Sequence, residues 1–237
     1  MTTAKEFKEQ LLEEYPIKIE LHTHTNPVSS CAKIKPEELT KKYMDEGLDG
    51  VVITNHMNPD SLRMSKEEWR EFYMKDYLAA KAAAKDGFRV YLGMEIRFTE
   101  NSNDYLVYGV DEAFIGSAYD YIDKGIEAFY KALKTDKNLI VQAHPFRDYM
   151  ERNYTEKLDG IEVFNLHRGH NSRVGVAARF AKENPGVITG GSDVHYPQDT
   201  PVIFARFKEL PRNSFDIAAN LKRGDYLLQV GSTVILP

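Results

Sequence analysis

Two histidines one residue apart, His22 and His24 in KIELHTHTNP, begin a scattered set of residues whose types suit a divalent cation. The others are His56 in ITNH, Glu95 in GMEIR, His144 in QAHPFR, and Asp193 with His195 in GGSDVH. Imidazole and carboxylate together suit zinc, manganese or iron, whereas carboxylate alone would better suit magnesium or calcium. On a strand, residues i and i+2 point to one side. His22 and His24 can therefore grip one ion, and so can Asp193 and His195. Glu162, in the apolar stretch GIEVF that leads to Asn165, is a carboxylate suited to bracing a ligating histidine. His167 and His170 of NLHRGHN read as loop and helix-start residues.

Elements must carry these residues to one place. Short apolar runs at 17–21, 50–54, 88–96, 104–110, 139–143, 160–164 and 186–190 read as strands, with YLLQV near the C-terminus as one more. Helical spacing covers 36–47, 66–86, about 119–134, a segment from about 172, and about 213–222. Strands alternating with helices imply a parallel sheet covered by helices. About seven strands suit a closed or nearly closed α/β barrel, with an open doubly wound sheet as the competitor. The first strand leads into LHTHTNP, which is neither a dinucleotide nor a Walker fingerprint, and this weakens the competitor. Five of the seven histidines lie at C-terminal strand ends, the face where a parallel barrel gathers its site.

Composition narrows the classes. The 237 residues suffice for one well-buried core, and a single catalytic unit over 1–237 is expected. The net charge of −5 gives no basic tract for long nucleic acid. Cys31 is the one cysteine, so an intramolecular disulfide is impossible and a cysteine-based zinc cluster is not expected. MTTAKEFKEQLLEEYP lacks the apolar run of a signal peptide, and no segment approaches the ~20 apolar residues of a membrane span. A cytoplasmic protein is expected.

LHTHT, PEEL, GVVITNH, GMEI, AHP, IEVFN and GSDVH, in this order over about residues 17–197, resemble the PHP (polymerase and histidinol phosphatase) superfamily. The resemblance implies a distorted seven-stranded (β/α)7 TIM-like barrel holding two or three divalent metals, usually in phosphoesterases. It implies that His22 and His24 bind one metal with Glu95 and Asp193. Glu95 would bridge to a second metal also held by His144, and His56 and His195 would bind a third. The chain departs from the family in three places. PVSSCAK places Ser29, Ser30 or Cys31 where an acid or histidine is usual, Asn55 replaces the aspartate of TDH, and no histidine occurs between 96 and 143.

The expected reaction is hydrolysis of a small phosphorylated substrate, a metal-activated hydroxide attacking phosphorus. Arg147 and Arg168 are candidate phosphate clamps, because the guanidinium fork matches phosphate geometry; Arg97 and Lys33 are further candidates. Asp193 or His195 could protonate the leaving group, although a ligand cannot freely do both jobs. A metal-dependent hydrolase of another bond, and a metal-binding module without turnover, are the alternatives.

Overall fold

A computed structural model describes residues 3–152 and 158–237. The chain opens with helix α1 (Ala4–Glu14), closed at its start by a capping box in which Thr3 and Glu6 satisfy each other's backbone N–H groups. Strand β1 (Ile17–Glu20) follows, then helix α2 (Pro36–Asp45), with Pro36 in the first turn where its missing N–H costs nothing. Strands β2 (Gly50–Ile53) and β3 (His56–Met57) precede helix α3 (Lys66–Ala83), which Ser65 and Glu68 cap. Strands β4 (Arg89–Leu92), β5 (Met94–Arg97) and β6 (Asp104–Tyr108) lead to helices α4 (Glu112–Tyr119) and α5 (Gly125–Leu133). The second half holds β7 (Leu139–Gln142), β8 (Gly160–Asn165), α6 (Val174–Glu183) and β9 (Val187–Gly191). It ends with β10 (Ile203–Phe207), α7 (Ser214–Arg223), β11 (Leu227–Val230) and β12 (Thr233–Ile235).

These strands form two six-stranded mixed sheets, ordered β12-β11-β10-β1-β2-β4 and β3-β5-β6-β7-β8-β9. Strands β1, β2 and β4 are parallel, as are β7, β8 and β9. Pairs β1–β10, β10–β11, β11–β12, β5–β6 and β6–β7 are antiparallel. The sheets meet beside the histidine motifs. Thr23, past β1, bridges Val194, past β9, and Glu95 N donates to Asn55 O. Ile19, Leu21, Val52, Leu106, Val141 and Ala205, drawn from both sheets, pack in one fully buried cluster. Full burial of each large aliphatic there contributes about 1.5–3 kcal/mol.

The α/β expectation holds, but the closed seven-stranded parallel barrel does not: the described residues form twelve strands in two mixed sheets, with no closed barrel. Apolar periodicity reports which residues are buried, not which way a strand runs. The helix expected over about 119–134 is α5, which starts later, at Gly125 (φ +81°), and α4 before it, Glu112–Tyr119, was not expected. The strand expected over 88–96 is β4 and β5, divided at Gly93. No helix among the described residues is long and apolar enough to cross a membrane.

Candidate metal centre

The seven expected ligands converge. His22 and His24 lie just past β1, His56 opens β3, Glu95 lies in β5, His144 follows β7, and Asp193 and His195 follow β9. His22 Nε2 and His24 Nε2 are 3.0 Å apart. His22 Nε2 is 3.4 Å from Glu95 Oε1 and 3.6 Å from Asp193 Oδ1. His24 Nε2 is 3.3 Å from Glu95 Oε2 and 3.3 Å from Asp193 Oδ1. A tetrahedral zinc site with arms of about 2.0–2.1 Å has donor atoms roughly 3.4 Å apart, so this donor set fits one cation.

Hydrogen bonds aim both imidazoles at that point. His22 Nδ1 lies 2.8 Å from Glu162 Oε1, which assigns its proton to Nδ1 and leaves the Nε2 lone pair free. His24 Nδ1 lies 3.2 Å from Ser29 Oγ. That hydroxyl donates to Asn55 Oδ1 and accepts the His56 N–H, so its remaining lone pair takes the His24 Nδ1 proton. A proton shared between the two Nε2 atoms makes the 3.0 Å contact a hydrogen bond, and a cation held by both lone pairs would take that proton's place. Glu95 Oε2, buried and without a hydrogen bond, faces the same space.

Asn55 is thus a fastener and not a ligand. Its Oδ1 also accepts the Thr25 N–H, and its Nδ2 donates to Thr25 Oγ1 and Asp76 Oδ2. Asp76 also takes the Thr25 hydroxyl and the Val28 N–H, anchoring the loop after His24 to α3. The sequence reading missed Asp76. Its signal was available, since it shares the apolar face of α3 with Trp69, Tyr73 and Ala80.

Two further donor groups adjoin the first. His144 Nε2 lies 3.1 Å from Glu95 Oε1 and 3.8 Å from Asp104 Oδ2. Asp104, absent from the expected set, groups with His56 and Glu95 as a possible cation site. It stands in the interval that lacks a histidine and is held by both nitrogens of the Arg97 fork, at 2.8 and 2.6 Å. His24, His56 and His195 form the other group. His144 at φ +30° and Asp193 at φ +51° both take left-handed backbone, a strain of about 1–3 kcal/mol each that sites often store.

Charge is set by neighbours acting against burial. Burial would raise the Glu95 carboxyl, but His22, His56 and His144 hold it well below the usual carboxylate range. Asp193 is likewise held down, by His22, His24 and His195. Burial lowers His24, as do His56 and His195, which keeps it neutral, the ligating form. His22 is raised in spite of burial, because Glu162, Asp193 and Glu95 crowd it with negative charge. Such a demand for positive charge is one a divalent cation meets. Cys31, which burial alone would raise, is pulled down to about 5 by hydrogen bonds with His195 and His56.

A cavity of about 220 Å³ adjoins these donors, lined by His56, Glu95, Asp104, His144, Asp193 and His195 together with Cys31, Arg97, Arg147, His167, His170 and Tyr196, while His22 and His24 lie fully buried behind it. Arg147 Nη2 lies 2.7 Å from Asp193 Oδ2 and 3.2 Å from Asn165 Oδ1. Arg168 points elsewhere: it pairs with Asp199 at 3.1 Å, is 59% exposed and does not line the cavity. Lys33 Nζ binds the Ser30 carbonyl, also outside the lining.

Solved structures share the architecture. The lesion-specific endonuclease PfuEndoQ from Pyrococcus furiosus is 16% identical with a TM-score of 0.63, over 87% of this chain and 56% of that one. PsfC from Pseudomonas syringae PB-5123 is 17% identical with a TM-score of 0.61, over 86% of each chain. A two-domain protein from Bacteroides vulgatus ATCC 8482, containing a predicted PHP-like metal-dependent phosphoesterase, is 17% identical with a TM-score of 0.58. That match covers 90% of this chain, which spans 64% of the two-domain protein's length. At these identities the likeness shows the fold alone. No curated protein matches the sequence. The family model described as the PHP domain matches residues 20–176, well over half the chain and the stretch that carries five of the seven converging ligands. The chain belongs to the PHP domain family.

Proposed function

We propose that the protein is a metal-dependent phosphatase acting on a small phosphate monoester. The observation that carries this reading is the spacing of His22 Nε2, His24 Nε2, Glu95 and Asp193 around one point, with Arg147 bound to Asp193 beside it. Divalent cations there, zinc, manganese or iron, would supply a nucleophile at neutral pH and neutralise the phosphoryl oxygens. His22, His24, Glu95 and Asp193 would hold one cation. His144 and Asp104 with Glu95 would hold a second, and His56 with His195 a third.

The chain's own groups do the rest. Arg147 offers the fork that matches phosphate, and its buried Nε has no hydrogen bond of its own. Arg97 is a weaker clamp, since Asp104 already occupies it bidentately. Asp193 and His195 are committed to a cation in this reading. His167 accepts the Gly169 N–H at Nδ1 and keeps its proton on Nε2; burial lowers it to about 4, so as a neutral imidazole on the cavity wall it would donate a hydrogen bond, not a proton, to the leaving oxygen. The cavity of about 220 Å³ and the net charge of −5 favour a small substrate over a long polyanion.

The test is hydrolysis of p-nitrophenyl phosphate and a phosphomonoester panel with added manganese or zinc. The metal-replete protein should turn over, and the His22→Ala/His24→Ala double variant should lose both metal and activity. A metal-replete protein that leaves the whole panel intact refutes the reading.

A further inference from the structure

We propose that Asp76, which belongs to α3 and holds no cation, is a positioning residue for the first cation site: acting through Asn55 and Ser29, it decides which nitrogen of His24 carries the proton. The proposal rests on the metal-centre reading and assigns a role to a residue outside the donor set. Asp76 is 2% exposed and lies one helical turn from Tyr73. The two side chains share a face of α3 and grip Asn55 together. The Tyr73 hydroxyl lies 2.8 Å from the Asn55 carbonyl oxygen, which also accepts the Glu95 N–H at 3.1 Å. Asp76 Oδ2 accepts the Asn55 side-chain amide at 3.3 Å, the Thr25 hydroxyl at 2.9 Å and the Val28 N–H at 3.2 Å. Three donors on one oxygen call for an ionised carboxylate, the acceptor-only form.

That carboxylate fixes the Asn55 amide. Asn55 Oδ1 accepts the Thr25 N–H at 2.7 Å and the Ser29 hydroxyl at 2.9 Å, while Nδ2 faces two acceptors, Thr25 Oγ1 and Asp76 Oδ2. Turned over, the amide would set its oxygen against the Asp76 carboxylate and its nitrogen against the Thr25 N–H. It would also donate to Ser29, whose hydroxyl would then be free to donate to His24 Nδ1. The His24 proton would move to Nε2, the nitrogen that faces Glu95 and Asp193, and bar a cation from it. In the observed order every proton points away from the site: His24 donates to Ser29, Ser29 to Asn55, and Asn55 to Asp76.

The same contact accounts for a departure in the sequence. An aspartate at position 55 would put a second carboxylate oxygen where Asn55 Nδ2 lies, 3.3 Å from Asp76 Oδ2 and with no proton between them. The amide at 55 and the acid at 76 therefore belong together.

The full-length protein is stripped with chelator, and zinc affinity is read by chelator competition. Asp76→Asn should lower it about tenfold or more, as removing a group that orients a metal ligand does. Ser29→Ala cuts the chain nearer the metal and should cost a similar factor. The double variant should bind zinc within about twofold of Ser29→Ala alone, because a chain already cut loses nothing further. Asn55→Asp supplies a test of sign. It should weaken zinc binding, and adding Asp76→Asn should restore part of the loss, so one substitution harms the wild type and helps the variant. That arm needs a folded Asn55→Asp; the cycle with Ser29 does not. Wild-type zinc affinity in Asp76→Asn, losses that multiply in the double variant with Ser29→Ala, or no gain on adding Asp76→Asn to Asn55→Asp overturns the proposal. Turnover is a separate readout: affinities that follow this pattern without phosphatase activity refute only the phosphatase reading, and a wild type that binds no zinc overturns this proposal together with the metal centre.

Discussion

Glu162 Oε1 lies 2.8 Å from His22 Nδ1, and both side chains are fully buried. The other oxygen of Glu162 accepts the His144 N–H and the Asn165 side-chain amide, each at 3.0 Å. One carboxylate therefore orients a ligand from β1, holds the backbone of a ligand after β7, and fixes its own strand. Glu162→Gln keeps the size and removes the charge. Metal affinity should fall about 10–100-fold with the fold retained, read by chelator competition. Unchanged affinity would show that His22 needs no brace.

Arg147 reaches Asp193 and Asn165 from the cavity wall. Charge-assisted hydrogen bonds to a phosphoryl group contribute about 1.5–3 kcal/mol, or roughly 10–100-fold. Arg147→Ala should lower kcat/KM for p-nitrophenyl phosphate by that factor. Arg147→Lys should recover only part of it, since an ammonium lacks the fork. Wild-type kinetics in the alanine variant would place the clamp elsewhere.

Gly191 ends β9 against the first metal motif. A Cβ there would meet His22 Cβ at 2.2 Å and Glu162 Oε1 at 3.0 Å. Neither neighbour can retreat, as both are buried in the site. Gly191→Ala should cost about 1–3 kcal/mol of stability, measured by denaturant unfolding, and should also weaken metal retention. A variant that kept full metal affinity would mean that His22 can shift without consequence.

Glu20 is fully buried, and one oxygen accepts the N–H groups of Leu21, His22 and Ser192. Burial pushes its carboxyl up to about 7. The unfolded carboxyl titrates near 4.3. Between these values the folded protein holds a proton that the unfolded chain releases, so stability from this group falls as pH rises. The loss by neutral pH is on the order of 3 kcal/mol. Glu20→Gln should remove this slope, as measured by unfolding the metal-free protein at about pH 5 and about pH 7. Parallel slopes in variant and wild type would refute it.

Much of the site was legible because chemistry restricts residue type. His22 and His24 announce themselves by spacing, and the other five expected ligands end or follow apolar runs. Asp104 and Asp76 were not found. Asp104 begins β6, which runs antiparallel to β5, with Arg97 opposite it in the register. In a parallel arrangement only C-terminal strand ends reach the site, so a search confined to them passes over the start of a reversed strand. Arg168 failed in the opposite sense. It lies close in sequence to the site residue Asn165, yet Asp199 draws its side chain away from the cavity.

By itself the sequence determined most of the element types and seven of the candidate donors, because apolar period and ligand chemistry are local properties written into residue order. Only the tertiary structure decided strand direction, and with it the two mixed sheets in place of a closed barrel. It also decided which lone pairs converge. That depends on protons placed by Glu162, Ser29 and the Asp193 carbonyl on His22, His24 and His195. These partners act across short distances between strands, which no local pattern in the chain encodes.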